Sequence, residues 1–301
     1  MLIDTASLYF RAFYGVPESL RAPDGTPVNA VRGFLDMLAR LVDDRRPGRL
    51  VCCLDADWRP AFRVAAVPTY KAHRVSGSQG AEDVPPSLAR QVPILLDVLA
   101  AVGVSTQGVA GYEADDVIAT LAAREPGPTD VVSGDRDLFA VVDDTRDVRV
   151  LYVARGVAKR EVVDGAAILR RYGVAAAQYA SMAILRGDPS DGLPGVPGIG
   201  EKTAAELLGR YGSLDALMAA VDGEAAGVPR RAALTTNLDY LRAAASVVPV
   251  RTDVAIPAGL RTDLPGEVTD PPALVTLAQR WALDASLNRL LAAMRAAQAT
   301  S

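Results

Sequence analysis

Residues 113–137 read EADDVIATLAAREPGPTDVVSGDRD, and this stretch decides the fold. From Ala114 to Ala123 its apolar side chains recur at intervals near 3.6, the period of a helix with one buried face. A short apolar run, Val131-Val132, follows and leads into Gly134-Asp135-Arg136-Asp137. Helix, strand and acids come in that order. Elsewhere Leu2-Ile3 precede Asp4 and Leu50 to Leu54 precede Asp55, while helical spacing runs from Val31 to Val42 and from Ser87 to Ala101. Short strands alternating with helices predict an α/β fold, a parallel sheet flanked by helices. In that architecture sites form beyond the carboxyl ends of the strands, where these acids stand.

A chain of 301 residues can bury a full core without disulfides or structural metals. Half of it is hydrophobic but only 5% aromatic, so Ala, Val and Leu must fill the interior. Cys52 and Cys53 are adjacent within an apolar run and cannot form an ordinary structural disulfide, so they are expected to be buried and reduced. His73 is the single histidine, which excludes His-rich zinc sites and paired-imidazole chemistry; carboxylates must carry any metal. Met1 to Asp4 lack a basic segment followed by a long apolar stretch, and nowhere do about 18 uncharged apolar residues run together. A cytoplasmic protein without a membrane partner is expected. The formal charge of −4 argues at face value against a nucleic-acid partner. Removing nine negative charges from that −4, as belonging to one site, leaves +5 on the rest, so net charge decides nothing.

Those nine are Asp4, Asp55, Glu113-Ala-Asp115-Asp116, Asp135-Arg-Asp137 and Asp188-Pro-Ser-Asp191. Hard cations such as Mg²⁺ and Mn²⁺ prefer oxygen ligands, and nine acids suit at least two ions, some acids as direct ligands and others holding metal-bound waters. Taken singly, Asp4 and Asp55 read as helix caps and Glu113 as a partner of the dipole of a helix starting at Ala114. Taken together, five separate positions converging without a cation would repel strongly, which favours the metal reading. The same repulsion predicts that neutralising Asp116 or Asp135 leaves the metal-free fold at least as stable. Asp55-Ala-Asp57 also invites an aspartyl-phosphate reading. That pattern wants a Thr shortly afterwards, where this chain has Trp58, Arg59 and Pro60.

Several motifs occur in a fixed order: Leu-Ile-Asp4 with Arg11 downstream, Leu-Asp55, Tyr70-Lys71-Ala-His-Arg74, Gly-Tyr-Glu113-Ala-Asp115-Asp116, Ser-Gly-Asp135-Arg-Asp137, and Gly-Asp188-Pro-Ser-Asp191-Gly-Leu-Pro-Gly-Val-Pro-Gly-Ile-Gly200-Glu-Lys202-Thr. In this order they resemble the 5′-nuclease family of flap endonucleases, phage 5′ exonucleases and the N-terminal domain of bacterial DNA polymerase I, the last most of all, here as a stand-alone chain. The resemblance implies a PIN-like sheet in a nuclease core over 1–191 with a helical arch around 68–90. It implies a helical DNA-binding region over 192–301 containing a helix-two-turn-helix motif. The small, polar segment Val75 to Gly80 reads as a mobile excursion.

By the same resemblance the nine acids hold two Mg²⁺ or Mn²⁺ ions, Lys71 and Arg74 contact the scissile phosphate, and Tyr70 stacks on a terminal base. Arg11 joins them in binding DNA. Gly198, Gly200, Lys202 and Thr203 hold duplex phosphates at a helix start, and backbone carbonyls near Val196 and Ile199 bind K⁺. The implied activity is cleavage of DNA near a free 5′ end, at flaps, nicks, gaps or overhangs, by a monomer working with a DNA polymerase or ligase. Two alternatives stand beside it, a PIN-like ribonuclease and a non-catalytic DNA-junction-binding protein.

Overall fold

The computed structural model describes residues 1–76, 81–223 and 227–299. Strands are β1 (Leu2–Asp4), β2 (Val51–Cys53), β3 (Val75–Ser76), β4 (Ala81–Glu82), β5 (Ser105–Gln107), β6 (Thr129–Ser133), β7 (Val148–Tyr152) and β8 (Glu161–Val163). The helices of the first part are α1 (Thr5–Gly15), α2 (Asn29–Arg45), α3 (Ala61–Ala66), α4 (Pro86–Ala89), α5 (Gln91–Val102), α6 (Ala114–Arg124), α7 (Gly165–Tyr172) and α8 (Tyr179–Arg186). The rest are α9 (Glu201–Tyr211), α10 (Leu214–Asp222), α11 (Arg231–Thr236), α12 (Leu238–Val247), α13 (Pro271–Trp281) and α14 (Asp284–Gln298).

Six strands form one sheet in the order β5-β2-β1-β6-β7-β8, parallel except for the antiparallel edge strand β8. Alternate residues of a strand face opposite sides, and both sides here are apolar, as a sheet covered twice requires. Val51, Cys53, Val131 and Val150 join the core shared with α6, α8 and the helices α9–α12. Ile3, Cys52, Val132 and Leu151 join the one shared with α1, α2, α5, α13 and α14. Both cysteines are free and fully buried, as their place in the apolar run required.

Helix ends follow local chemistry. Asp4 caps α1 by accepting from the Ser7 amide at 3.0 Å, and α6 begins with Asp115 and Asp116 and ends with Arg124, matching its dipole. α5 stops at Gly103 in the left-handed conformation.

One expectation is corrected. The described part of the 68–90 excursion is not a helical arch: it is a three-residue 3-10 turn at Ala72–Arg74, the two-residue antiparallel ribbon β3–β4, and the single turn α4. Residues 77–80, within the predicted mobile excursion, lie outside the described residues. Within the helical region expected over 192–301, α13 and α14 pack on the first part, with Leu274, Leu283, Leu287 and Leu290 in the core shared with α2 and α5. Among the described residues no helix is long and apolar enough to cross a membrane.

A carboxylate-lined candidate active site

Asp4 closes β1, Asp55 lies two residues beyond β2, and Asp135 two beyond β6, so three neighbouring strands of the sheet deliver acids to one edge. A cleft of about 960 Å³ opens there, lined by the acids Asp4, Asp55, Glu113, Asp115 and Asp135 and by the cations Arg11, Lys71, Arg74, Arg136 and Arg155. The acids are held by short local bonds. Asp4 accepts from Ser133 Oγ at 2.6 Å, Asp55 from the Ala114 amide at 2.8 Å, and Asp135 from the Asp137 amide at 3.0 Å. Asp4 thus caps α1 through Oδ1 and holds Ser133 through Oδ2.

The nine acids divide by their partners. Glu113, Asp116, Asp188 and Asp191 each have an ion pair, with Arg63 and Lys71, Arg63, Arg186 and Arg74 respectively. Among the described residues Asp4, Asp55, Asp115, Asp135 and Asp137 have none. Burial first, then the charges of Asp4 and Asp135, push the Asp115 carboxyl well above its usual range. Burial and the charges of Asp135, Asp191 and Asp188 do the same to Asp137. The charge of Asp135 therefore acts on both Asp115 and Asp137, beside Asp4 in the first case and beside Asp188 and Asp191 in the second. The all-oxygen, uncompensated donor set suits hard divalent cations. Among the described residues no three acids converge at chelating spacing.

Burial foremost and then Asp55 raise the Asp4 carboxyl from 3.8 to about 7, against the hydrogen bonds from Ser133 and Ser7. Between those values the folded state binds more protons than the unfolded state, so this contribution to stability is present at low pH and fades as pH rises through the window. Urea melts in chelator from about pH 4 to 7 should show wild type losing stability relative to Asp4→Asn. Parallel pH profiles for the two proteins would count against the assignment.

Asp116 is not brought to the cleft. It is fully buried, with Oδ1 accepting from Arg63 at 2.7 Å and from the Arg251 amide at 2.8 Å, and Oδ2 accepting from Arg63 at 3.1 Å. Both oxygens are engaged structurally, which sets the loss of the Arg63 ion pair against the expected relief of repulsion on neutralising Asp116. Arg63, which sequence reading missed, is 2% exposed and also bonds Glu113 and the Val247 carbonyl. Its signal was a lone cation within the apolar run Ala61 to Val67.

Tyr70 is likewise corrected. It is 3% exposed and donates its hydroxyl to Glu113 at 2.7 Å, so its ring has no face to offer a base. Lys71 does reach the cleft, with Nζ on Glu113 and its backbone N–H on the Asp191 carbonyl at 2.9 Å. Burial alone would lower its ammonium pKa, but Glu113 and then Asp191 more than reverse this and keep it charged. Arg74 bonds the Ser190 carbonyl at 2.8 Å, and the buried Nε of Arg11 has no partner among the described residues. Gly192, at φ +70°, lets the acidic loop dock on this segment: a Cβ there would lie 2.1 Å from the Thr69 carbonyl. Away from the cleft, Gly200 caps α9 without a side chain over its amides, Gly198 and Lys202 are exposed, and Thr203 is half-buried. Val196 and Ile199 are buried, and the Val196 carbonyl accepts from the Ile199 amide at 3.0 Å.

Clustered acids at the carboxyl edge of a parallel sheet, with lysine and arginine on the same walls, define a class: nucleases that cut phosphodiesters with carboxylate-held cations. The family model described as the 5′-3′ exonuclease N-terminal resolvase-like domain matches residues 1–173, and that of the 5′-3′ exonuclease C-terminal SAM fold matches residues 174–270. A 5′-3′ exonuclease of Streptomyces coelicolor is 56% identical over 302 residues, covering 98% of this chain and 100% of that protein. One of Mycobacterium tuberculosis is 49% identical, covering 98% and 97%. The chain belongs to the 5′-3′ exonuclease family. DNA polymerase I of Mycobacterium bovis is 43% identical over 226 residues, covering 74% of this chain and 24% of the polymerase. The fold is shared with zinc-bound T5 5′-exonuclease (TM-score 0.63, 16% identity, 99% and 98% covered) and with flap endonuclease-1 of Methanococcus jannaschii (TM-score 0.61, 16% identity, 100% and 92% covered).

Proposed function

We propose that this chain is a structure-specific DNA 5′ nuclease, acting at flaps, nicks, gaps or overhangs in repair and primer removal. One observation carries the reading: Asp4, Asp55, Glu113, Asp115 and Asp135 line one cleft with Lys71, Arg74 and Arg11, and Asp135 also acts on Asp137, which neighbours Asp188 and Asp191. Asp4, Asp55, Asp115 and Asp135 would hold one Mg²⁺ or Mn²⁺, joined by Glu113 where Oε1 exchanges Lys71 for the ion, and Asp135, Asp137, Asp188 and Asp191 would hold a second. Bound there, the cations supply Lewis acidity for the attacking water and for the charge on the departing 3′ oxygen. Lys71 and Arg74 offer charge to the scissile phosphate, Arg11 adds a third cation to the cleft wall, and Arg63 and Tyr70 fix Glu113. Asp116 acts through Arg63 and not as a ligand.

The exposed start of α9, with Gly198, Gly200, Lys202 and Thr203, supports phosphate contacts that position a duplex without reading bases. The Val196 and Ile199 carbonyls are assigned to K⁺ within the same reading.

The test is a matched set of labelled single-stranded, nicked, gapped and 5′-flapped DNAs, with RNA counterparts, incubated with Mg²⁺ or chelator. Cleavage near the 5′ end, giving 5′-phosphate products only with Mg²⁺, is expected. Preference for RNA throughout, or binding without cleavage, would overturn it in favour of a ribonuclease or a junction-binding protein.

A further inference from the structure

Trp58, one of two tryptophans in the chain, stands in the wall of the cleft that also holds Asp55, Lys71 and Arg74. It lies in the loop between β2 and α3 and is only half-buried. The loop is pinned on both sides. The Asp57 amide donates to the Tyr112 carbonyl at 3.1 Å, and the Arg59 amide donates to Asp57 Oδ1 at 3.1 Å. The Arg59 guanidinium donates to the carbonyls of Tyr70 at 2.6 Å and Pro68 at 3.1 Å. Those last two bonds tie the indole's mount to the segment that carries Lys71. Among the described residues no aromatic ring stacks on Trp58 and no cation lies over it.

A large ring left partly wet in a charged cleft contributes little to the core, and a rigid mount removes much of the ordering cost of a contact. Charged groups on the same wall suit a phosphate, while the indole suits the base attached to it.

We propose that Trp58 is a positioning residue that stacks on an unpaired nucleobase of the 5′ strand and so sets the neighbouring phosphate against Lys71 and Arg74. The inference rests on the reading of the chain as a DNA 5′ nuclease. Every base has a π-face, so the contact favours unpaired ends over particular sequences.

The test uses the full chain carrying Trp281→Phe, which leaves Trp58 as the sole indole, titrated in Ca²⁺ with a 5′-flapped duplex. Quenching of Trp58 emission is expected. Affinity should fall about 5- to 100-fold in Trp58→Ala, recover largely in Trp58→Phe and not recover in Trp58→Leu. Walking an abasic residue along the flap should find one position where wild type and Trp58→Ala become equal. Unchanged emission, rescue by Leu as good as by Phe, or a penalty that persists at every abasic position would overturn the proposal. Melting temperatures of the three variants identify a loss that is merely one of folding, shown by the Ala penalty tracking stability across the series, and that result also overturns it. If wild type cleaves the flap in Mg²⁺ while these signatures fail, only this inference falls; if it cleaves no DNA, the functional reading falls with it.

Discussion

Arg63→Met is expected to cost roughly 3–5 kcal/mol of stability, the range for removing one partner of a buried ion pair. The guanidinium is 2% exposed and bonds Glu113, both oxygens of Asp116 and the Val247 carbonyl at 2.9 Å. Phe62 and Tyr70 flank it, with ring centroids at 5.2 and 5.8 Å. One side chain thereby joins α3, the start of α6 and the end of α12, so its loss leaves buried Asp116 without a cation, Glu113 with Lys71 alone, and one carbonyl without a donor. Asp116→Asn should cost less, about 1–3 kcal/mol, because the amide oxygen still accepts from Arg63 or the Arg251 amide. The two losses should add up to more than the double variant shows, since the residues share one network. Urea melts in chelator decide it. A wild-type midpoint for Arg63→Met, or a gain for Asp116→Asn, would mean that the network is not structural.

Lys71→Ala is expected to lower the single-turnover cleavage rate by about 100- to 1000-fold, the magnitude for losing one charge-stabilising donor, while the dissociation constant for flapped DNA changes only a few-fold. Its side chain is 13% exposed, lies on the cleft wall, and is kept protonated by Glu113 and Asp191. A charge confined to the cleft acts on the reacting phosphate more than along a duplex, so its removal shows in the rate and not in ground-state binding. Rapid-quench measurements at saturating enzyme separate the two. Normal chemistry with a weaker dissociation constant would reassign Lys71 to binding.

The sheet and most of the site were legible in the sequence because their signals are local. Leu2-Ile3-Asp4 and Leu50 to Asp55 each announce a buried strand and the acid at its end within six residues or fewer. What could not be read depends on distant partners. Asp116 looks like Asp115 in sequence, yet one turns to Arg63, 53 residues away, and the other to the cleft. The stacking role that the family resemblance implies for Tyr70 conflicts with a hydroxyl bond to Glu113, 43 residues on, which local sequence does not reveal. α13 and α14 have ordinary amphipathic patterns that show an apolar face without saying which surface covers it; only packing against α2 and α5 does.

Counting bound Mn²⁺ tests the central claim, that two carboxylate groups sharing Asp135 form the metal centre of a 5′ nuclease, most directly. Free Mn²⁺ is followed by electron paramagnetic resonance during titration of the protein with a flapped DNA bearing a cleavage-resistant linkage. Wild type and Asp116→Asn should each bind two ions, whereas Asp135→Asn should lose tight binding of both and cleave no ordinary flap. Two tightly bound ions retained by Asp135→Asn, or none bound by wild type, would contradict the account.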